Sequence, residues 1–330
     1  MDIHALHGRD ILVTGGAGFI GSHLIEALID HGATVTTLDH RPADHAPNLA
    51  LVSERVKKLQ FDLTSGPPTD IVARGQYHCI FHLSGSAQVE ASIKMPAWDL
   101  ARNTMGTVNL LEALRNGAPQ TGVVFTSSAV VFAGGDETPI KEDDATHPTT
   151  PYGVSKLASE RYIAVYARLF GLRTTTARLF SVYGPRLQKQ IVYDFMRKLA
   201  ADPERLDIFG NGTETRDMSY VGDVVRGLIL IAQEAKMSGE AYNLASGTHV
   251  TTRHLAEQVA DSFGATPDLR LTGSAHVGDT KYWHADTSRI RALGYQPQTD
   301  LATGIGQTVA WFKSISEGHE LTPSPKRTAS

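Results

Sequence analysis

Two hydrophobic rhythms alternate along the first half of the chain. Residues 10–13 form a short continuous apolar run, and residues 19–29 carry apolar positions at helical spacing. Strand-like runs return at 34–38, 78–83 and 123–128, with helical patterns at 97–115 and 151–170. Strands alternating with helices up to about residue 180 predict an α/β protein built on a doubly wound parallel sheet. The rhythm then changes. Helices are expected at 191–200, 223–235, 252–263 and 301–316, and short strands at 206–209, 242–244 and 269–271. The expectation is residues 1–180 as a first domain, and 181–316 as a smaller C-terminal α/β cap that returns one strand and one helix to the main sheet. Residues 317–330 are polar, include Pro323 and Pro325, and are expected to be disordered.

Between the first strand and the first helix stands Thr14-Gly15-Gly16-Ala17-Gly18-Phe19-Ile20-Gly21. In a strand-turn-helix unit, Gly15 permits the tight turn, Gly18 lets a pyrophosphate approach the backbone, and Gly21 lets the helix pack close to the sheet. The second strand ends in Asp39, near the ~20-residue offset at which a carboxylate meets an adenosine ribose. That carboxylate accepts a hydrogen bond from a 2′-hydroxyl and repels a 2′-phosphate, so NAD is expected over NADP. Arg41, two residues on, reads either as a solvated loop charge or as an acceptor of that phosphate.

A second motif, Tyr152-Gly153-Val154-Ser155-Lys156, opens a helical segment. A spacing of four places Tyr152 and Lys156 on one face, one turn apart. An ammonium beside a phenol of ordinary pKa ~10 favours its ionised form. Taken alone, the pattern also fits an ordinary helix start with a surface lysine. The preceding strand ends in Ser127-Ser128, and ligands of a parallel sheet collect at the carboxyl ends of its strands. Those hydroxyls and Tyr152 are therefore expected to face one crevice.

These residues resemble the extended short-chain dehydrogenases/reductases, and within them the NAD-dependent nucleotide-sugar epimerase/dehydratase family of the UDP-glucose 4-epimerase type. The resemblance runs from about residue 10 to residue 312, through the glycine motif, Asp62-Leu63, His82-Leu83-Ser84-Gly85, residues 103–107, Ser127-Ser128, Tyr152 to Lys156, residues 178–186, Arg216-Asp217 and Val221-Gly222-Asp223. It implies a Rossmann domain holding NAD, with Ser128, Tyr152 and Lys156 as catalytic residues. Ser128 and Tyr152 would bracket a sugar hydroxyl, while Lys156 also holds the nicotinamide ribose. Asp62 and Leu63 would contact the adenine; Leu83, Ser84 and Gly85 would line the cofactor.

In the cap, the resemblance gives Arg216 the substrate diphosphate, although a local pair with Asp217 is the alternative. Phe209 would stack on the base, or belong to the core. Arg186 is a further candidate. Ser181 stands where the family commonly has asparagine. Residues 275–279 carry His276 where many UDP-sugar epimerases have a diphosphate-binding arginine, so His276 either faces the diphosphate or is an ordinary loop histidine. Ala129-Val130 replace the Asp-Glu that dehydratases of this family carry, which disfavours 4,6-dehydration. The implied activity is nucleotide-sugar 4-epimerisation, on a UDP-sugar, through a transient 4-keto sugar. The alternatives are a reductase or decarboxylase of the same fold, or a non-catalytic NAD-sensing protein. Helices at 97–115 and 152–170 pair between subunits in many relatives, which implies a homodimer.

Composition narrows the remaining choices. A formal charge of −4 and a pI near 6.4 leave no electrostatic footprint for nucleic acid or an anionic membrane. The single cysteine, Cys79, lies in an apolar run and reads as a buried structural thiol. The histidines show no paired metal-ligand spacing, so no metal is expected. No apolar stretch reaches membrane length and no export signal precedes the first strand, so a cytoplasmic location is expected.

Overall fold

The computed structural model describes residues 6–42, 45–135, 137–273 and 281–316. Strand β1 (Asp10–Thr14) passes through the glycine turn into helix α1 (Phe19–Asp30), and β2 (Thr34–Asp39) and β3 (Val56–Gln60) follow. Helix α2 (Thr69–Gly75), strand β4 (Cys79–His82) and the short helices α3 (Val89–Lys94) and α4 (Pro96–Leu100) come next. A π-helical turn, Ala101–Met105, joins α4 to α5 (Gly106–Gly117), so the helix expected at 97–115 is one rod with a widened middle. Strand β5 (Gly122–Ser128), helix α6 (Pro151–Phe170) and strand β6 (Thr174–Leu179) complete the alternating half. Helix α6 has clear limits: Thr150 caps it by accepting from Gly153 N, Pro151 suits its first turn, and Gly171 ends it at a φ of 67°.

The second half runs β7 (Ser181–Tyr183), α7 (Gln190–Ala201), β8 (Arg205–Ile208), β9 (Thr215–Tyr220), α8 (Val221–Glu234), β10 (Ser238–Leu244), β11 (His249–Thr251), α9 (Thr252–Phe263), β12 (Asp268–Leu271), α10 (Ser288–Arg291) and α11 (Leu301–Ser316). Seven strands form one parallel sheet in the order β10-β6-β5-β4-β1-β2-β3. The order reverses between β1 and β4, and that reversal opens a crevice at the carboxyl ends of the strands.

Burial on both faces explains the continuous apolar runs. Ile11, Val13, Phe81 and Val124 pack with Leu24, Leu28, Val224 and Leu228 on one side. Leu12, Ile80, Val123 and Phe125 pack with Leu110, Leu114 and Ile163 on the other. Each such side chain contributes about 1.5–3 kcal/mol. Cys79 is buried here, and burial pushes its thiol up to about 12. The smaller lobe has its own core, in which Phe195, Met196 and Leu199 meet Leu206, Leu255, Val259 and Val309.

Three corrections arise in this half. The segment around Arg216, for which no strand was expected, is strand β9, which with β7 and β11 forms a three-stranded sheet. Its residues Thr-Arg-Asp-Met-Ser-Tyr carry no apolar alternation, so the strand had no hydrophobic signature. Strand β8 ends at Ile208 and leaves Phe209 outside, 47% exposed, so Phe209 is not core. Strand β10 begins at Ser238, earlier than its apolar part suggests, because its first residues are polar and only partly buried. It is parallel to β6 and forms the edge of the main sheet. Among the described residues, no helix is long and apolar enough to cross a membrane, and no group of three His, Cys, Asp or Glu could hold a metal.

Candidate active site

The glycine turn stands at the switch point of the sheet. Gly15 has a φ of 72°, and a Cβ on it would lie 2.8 Å from Ser84 N. A Cβ on Gly21 would lie 2.5 Å from Gly15 O, so helix and turn approach closer than any side chain allows. Helix α1 starts at Gly18 without a side-chain cap, and its first N–H groups are left for a ligand. Phe19 and Ile20 form its first turn; the Phe19 ring meets His23 edge-on.

Asp39 ends β2 with its carboxylate 9% exposed. Arg41 is not merely solvated: its backbone N–H and guanidinium both donate to Asp39, the latter at 3.2 and 3.3 Å, and His40 lies 3.2 Å away. Asp62 caps a short 3-10 turn by accepting from Thr64 N and Thr64 Oγ1, which holds its carboxyl below the usual range. Leu63 beside it is buried, and its carbonyl accepts from Asn109. Leu83, Ser84 and Gly85 leave β4 along the same edge, where Ser84 N donates to Thr14 Oγ1 at 3.2 Å. An uncapped helix start, a close backbone cradle and a terminal carboxylate together fit a dinucleotide.

The second group of residues meets at the ends of β5 and α6. Tyr152 and Lys156 are 7% and 5% exposed, and the Ser128 side chain stands beside the Tyr152 phenol, where it favours the ionised form. Lys156 Nζ donates to Thr126 O at 3.0 Å and lies 4.9 Å from the centre of the Phe125 ring. Burial dominates both groups. It pushes the phenol up to about 12, against the lowering that Ser128 contributes, and pulls the ammonium down to about 8. The lowering of the tyrosine pKa expected from Lys156 alone is therefore outweighed by burial.

Of the surrounding shell, Asn103, Thr104 and Ser155 belong to the sequence motifs, whereas Asp99, Ser86 and Ser92 lay outside them. Asp99 is fully buried and accepts from Ser155 Oγ at 2.6 Å and from Asn103 Nδ2 at 3.1 Å. Asn103 Oδ1 accepts from Ser86 N, and Ser92 Oγ accepts from Tyr152 N. The π-helical turn is what brings Asn103 and Thr104 inward, where Thr104 donates to Ser155 O. These contacts pin the start of α6 against α3 and α4.

A cleft of about 640 Å³ opens from Ser128 and Tyr152 toward the smaller lobe. Ser181 and Arg216 line it, as does Phe209 at its far end, over which Lys198 Nζ stands at 4.7 Å. Arg216 Nη1 donates to Thr215 O, while Asp217, on the opposite face of β9, is fully buried and accepts from Ser246 N, Ser246 Oγ and Gly247 N. Trp283 and Glu214 also line the cleft and carried no motif. Trp283 sits on an extended strap that bonds to Thr215 and Ile140, contacts far apart in sequence. Arg186 is elsewhere, buried against α1. His276 lies outside the described residues.

A parallel sheet with a glycine turn at its switch point, and a half-buried Ser128 beside the buried Tyr152 and Lys156, is the arrangement of the extended short-chain dehydrogenase/reductase class. Residues 11–245 match the NAD dependent epimerase/dehydratase family, and the chain belongs to that family. A UDP-glucose 4-epimerase of Mycolicibacterium smegmatis is 34% identical over 93% of this chain and 99% of its own. A UDP-N-acetylglucosamine 4-epimerase from Methanobrevibacter ruminantium M1, solved with UDP-N-acetylmuramic acid, superposes with a TM-score of 0.86 at 28% identity, covering 94% of this chain and 99% of its own. MoeE5, solved with UDP-glucose and NAD, is 32% identical at a TM-score of 0.83, over 93% and 99%. NAD is the cofactor of this family.

Proposed function

We propose that the protein is an NAD-dependent UDP-sugar 4-epimerase, with Ser128, Tyr152 and Lys156 as its catalytic residues. The observation that carries the reading is the buried Tyr152 phenol, which with Ser128 lines a cleft large enough for a nucleotide sugar. Gly15, Gly18, Phe19, Ile20 and Gly21 hold the cofactor pyrophosphate, and Asp39 the adenosine ribose. Asp62 and Leu63 border the adenine, and Leu83, Ser84 and Gly85 line the path to the nicotinamide. When bound, NAD supplies the hydride acceptor for the sugar C4 and a positive charge beside the phenol.

Tyr152 takes the proton of the 4-hydroxyl and later returns it, serving as base and then as acid. Ser128 orients that hydroxyl. Lys156, still cationic at neutral pH with its pKa near 8, opposes the burial that holds the phenol neutral. Arg216 faces the diphosphate, where its planar fork suits phosphate oxygens, and Phe209 offers a face to the base. Ser181 meets the sugar. The apolar walls Leu179, Phe180 and Trp283 let a 4-keto sugar present either face, and proton and hydride return so that net redox change is zero.

Purified protein incubated with UDP-glucose, UDP-galactose, their N-acetylated counterparts and UDP-glucuronate tests the reading by chromatography of the products. Interconversion of one 4-epimer pair without net NADH is expected. Accumulation of NADH, release of carbon dioxide, or no conversion of any sugar would exclude an epimerase.

The same reading proposes a homodimer. Met95, Leu100 and Met105 stand exposed on the rod from α4 to α5, and Val154, Tyr162 and Leu169 form an exposed stripe on α6. An apolar surface of this kind fits a second copy of the chain.

A further inference from the structure

The loop between β7 and α7, residues 184–189, is held in a conformation it would not adopt unaided. Arg186, and Gln190 where the loop meets α7, have φ values of 75° and 68°, the left-handed region that non-glycine residues enter only against steric resistance. What holds Arg186 there is α1. Its guanidinium, 5% exposed, donates from Nη2 to Glu26 Oε1 at 2.6 Å and from Nη1 to Ser22 Oγ at 3.1 Å. Ser22 Oγ in turn donates to Phe19 O in the first turn of that helix, and His23 Nε2 donates to Pro185 O at 3.0 Å. Only a planar fork can reach both acceptors at once.

The other side of the loop belongs to the cleft. Leu187 and Gln190 line it, Ser181 and Tyr183 line it just before, and Lys189 Nζ bonds to the carbonyl of Ala87, another lining residue, at 2.7 Å. One strained segment thus touches the helix start that faces the dinucleotide and the wall that faces the nucleotide sugar.

We infer that Arg186 is a positioning residue that couples the two sites, so that a ligand in the cleft tightens NAD binding and NAD tightens binding in the cleft. This rests on the reading of the site given above. Coupling of this kind is reciprocal, because it is a free energy shared by both binding events.

Calorimetric titration of NAD with and without saturating UDP, and of UDP with and without saturating NAD, tests it in the unmodified protein, Arg186→Met, Arg186→Lys and Glu26→Gln. In the unmodified protein UDP should lower the NAD dissociation constant about tenfold, within the ordinary range for coupled sites, and NAD should do the same for UDP. Arg186→Met should bring the factor close to one. Arg186→Lys, which can reach only one acceptor, should fall between, and Glu26→Gln, which keeps an acceptor oxygen, should retain most of it. A purely structural arginine gives another result: Arg186→Met melts earlier yet couples the ligands like the unmodified protein, and the inference is overturned. It is equally overturned if the unmodified protein binds both ligands independently. If that protein does not bind NAD at all, the cofactor reading fails and takes this inference with it. Should Arg186→Met not fold, Glu26→Ala removes the same clamp from the helix side and is expected to abolish the coupling.

Discussion

At the scale of single residues, burial sets the chemistry. The Tyr152 phenol is pushed up to about 12 because a phenolate loses its hydration there, so it becomes a base only when positive charge gathers round it. Tyr152→Phe removes the proton acceptor and almost nothing else. Its turnover should fall by roughly 10²- to 10⁴-fold, the usual contribution of general acid–base catalysis, while NAD affinity stays within about twofold. A variant that keeps most of its activity on the converted sugar would move the base elsewhere. Asp39 gives a second test. Its carboxylate already holds Arg41, so the arginine offers its positive charge near any 2′-phosphate only once Asp39 is gone. The unmodified protein should prefer NAD over NADP, and Asp39→Ala should narrow the gap; equal affinities before mutation would remove Asp39 from the ribose site.

At the scale of elements, a buried hydrogen-bond chain ties the ends of β1 and β4 to the head of α5. Thr107 Oγ1 gives its one proton to Asn103 O, so it accepts from His82 Nε2. His82 Nδ1 is then bare and accepts from Thr14 Oγ1 at 2.7 Å, and Thr14 Oγ1 accepts from Ser84 N. Burial, helped by the nearby charge of Lys156, lowers His82 to about 3. Between the ordinary value near 6.5 and about 3 the unfolded chain binds a proton that the folded chain refuses, so stability falls as pH falls through that window. At pH 5 the loss from His82 should be about 2 kcal/mol. His23, lowered to about 4, acts in the same direction, and Asp217, raised to about 6, acts in the opposite one. Chemical denaturation of His82→Gln against the unmodified protein between pH 7 and 5 isolates the first of these: the variant should show the shallower loss, and parallel curves would mean that His82 is not neutral in the fold.

At the scale of the whole molecule, the exposed stripe on α6 should decide the assembly. Leu169 is 64% exposed and Tyr162 43%, more apolar surface than a lone helix face ordinarily leaves to water. Light scattering should give twice the chain mass for the unmodified protein. Tyr162→Glu with Leu169→Glu should give a monomer that still binds NAD, since neither residue lines the cleft. A monomer before mutation would leave this face without a partner of its own kind.

The sequence by itself determined what depends on neighbours in the chain. The glycine turn, the strand that ends in Asp39 and the helix from Pro151 to Phe170 follow from local steric and periodic rules, and each stands where its pattern placed it. So do Tyr152 and Lys156 on one face of α6, because four residues make about one turn. Tertiary structure decided the rest. Strand β9 is held by β7 and β11 rather than by an apolar pattern of its own, Trp283 reaches the cleft on a strap anchored to Thr215 and Ile140, and Arg186, a candidate for the diphosphate, is spent on Glu26 and Ser22. The direction of the Tyr152 shift was likewise invisible, since desolvation depends on everything packed around a group and not on the cation one turn away. Local geometry is written in consecutive residues; burial, and with it the charge state of the site, exists only once distant segments meet.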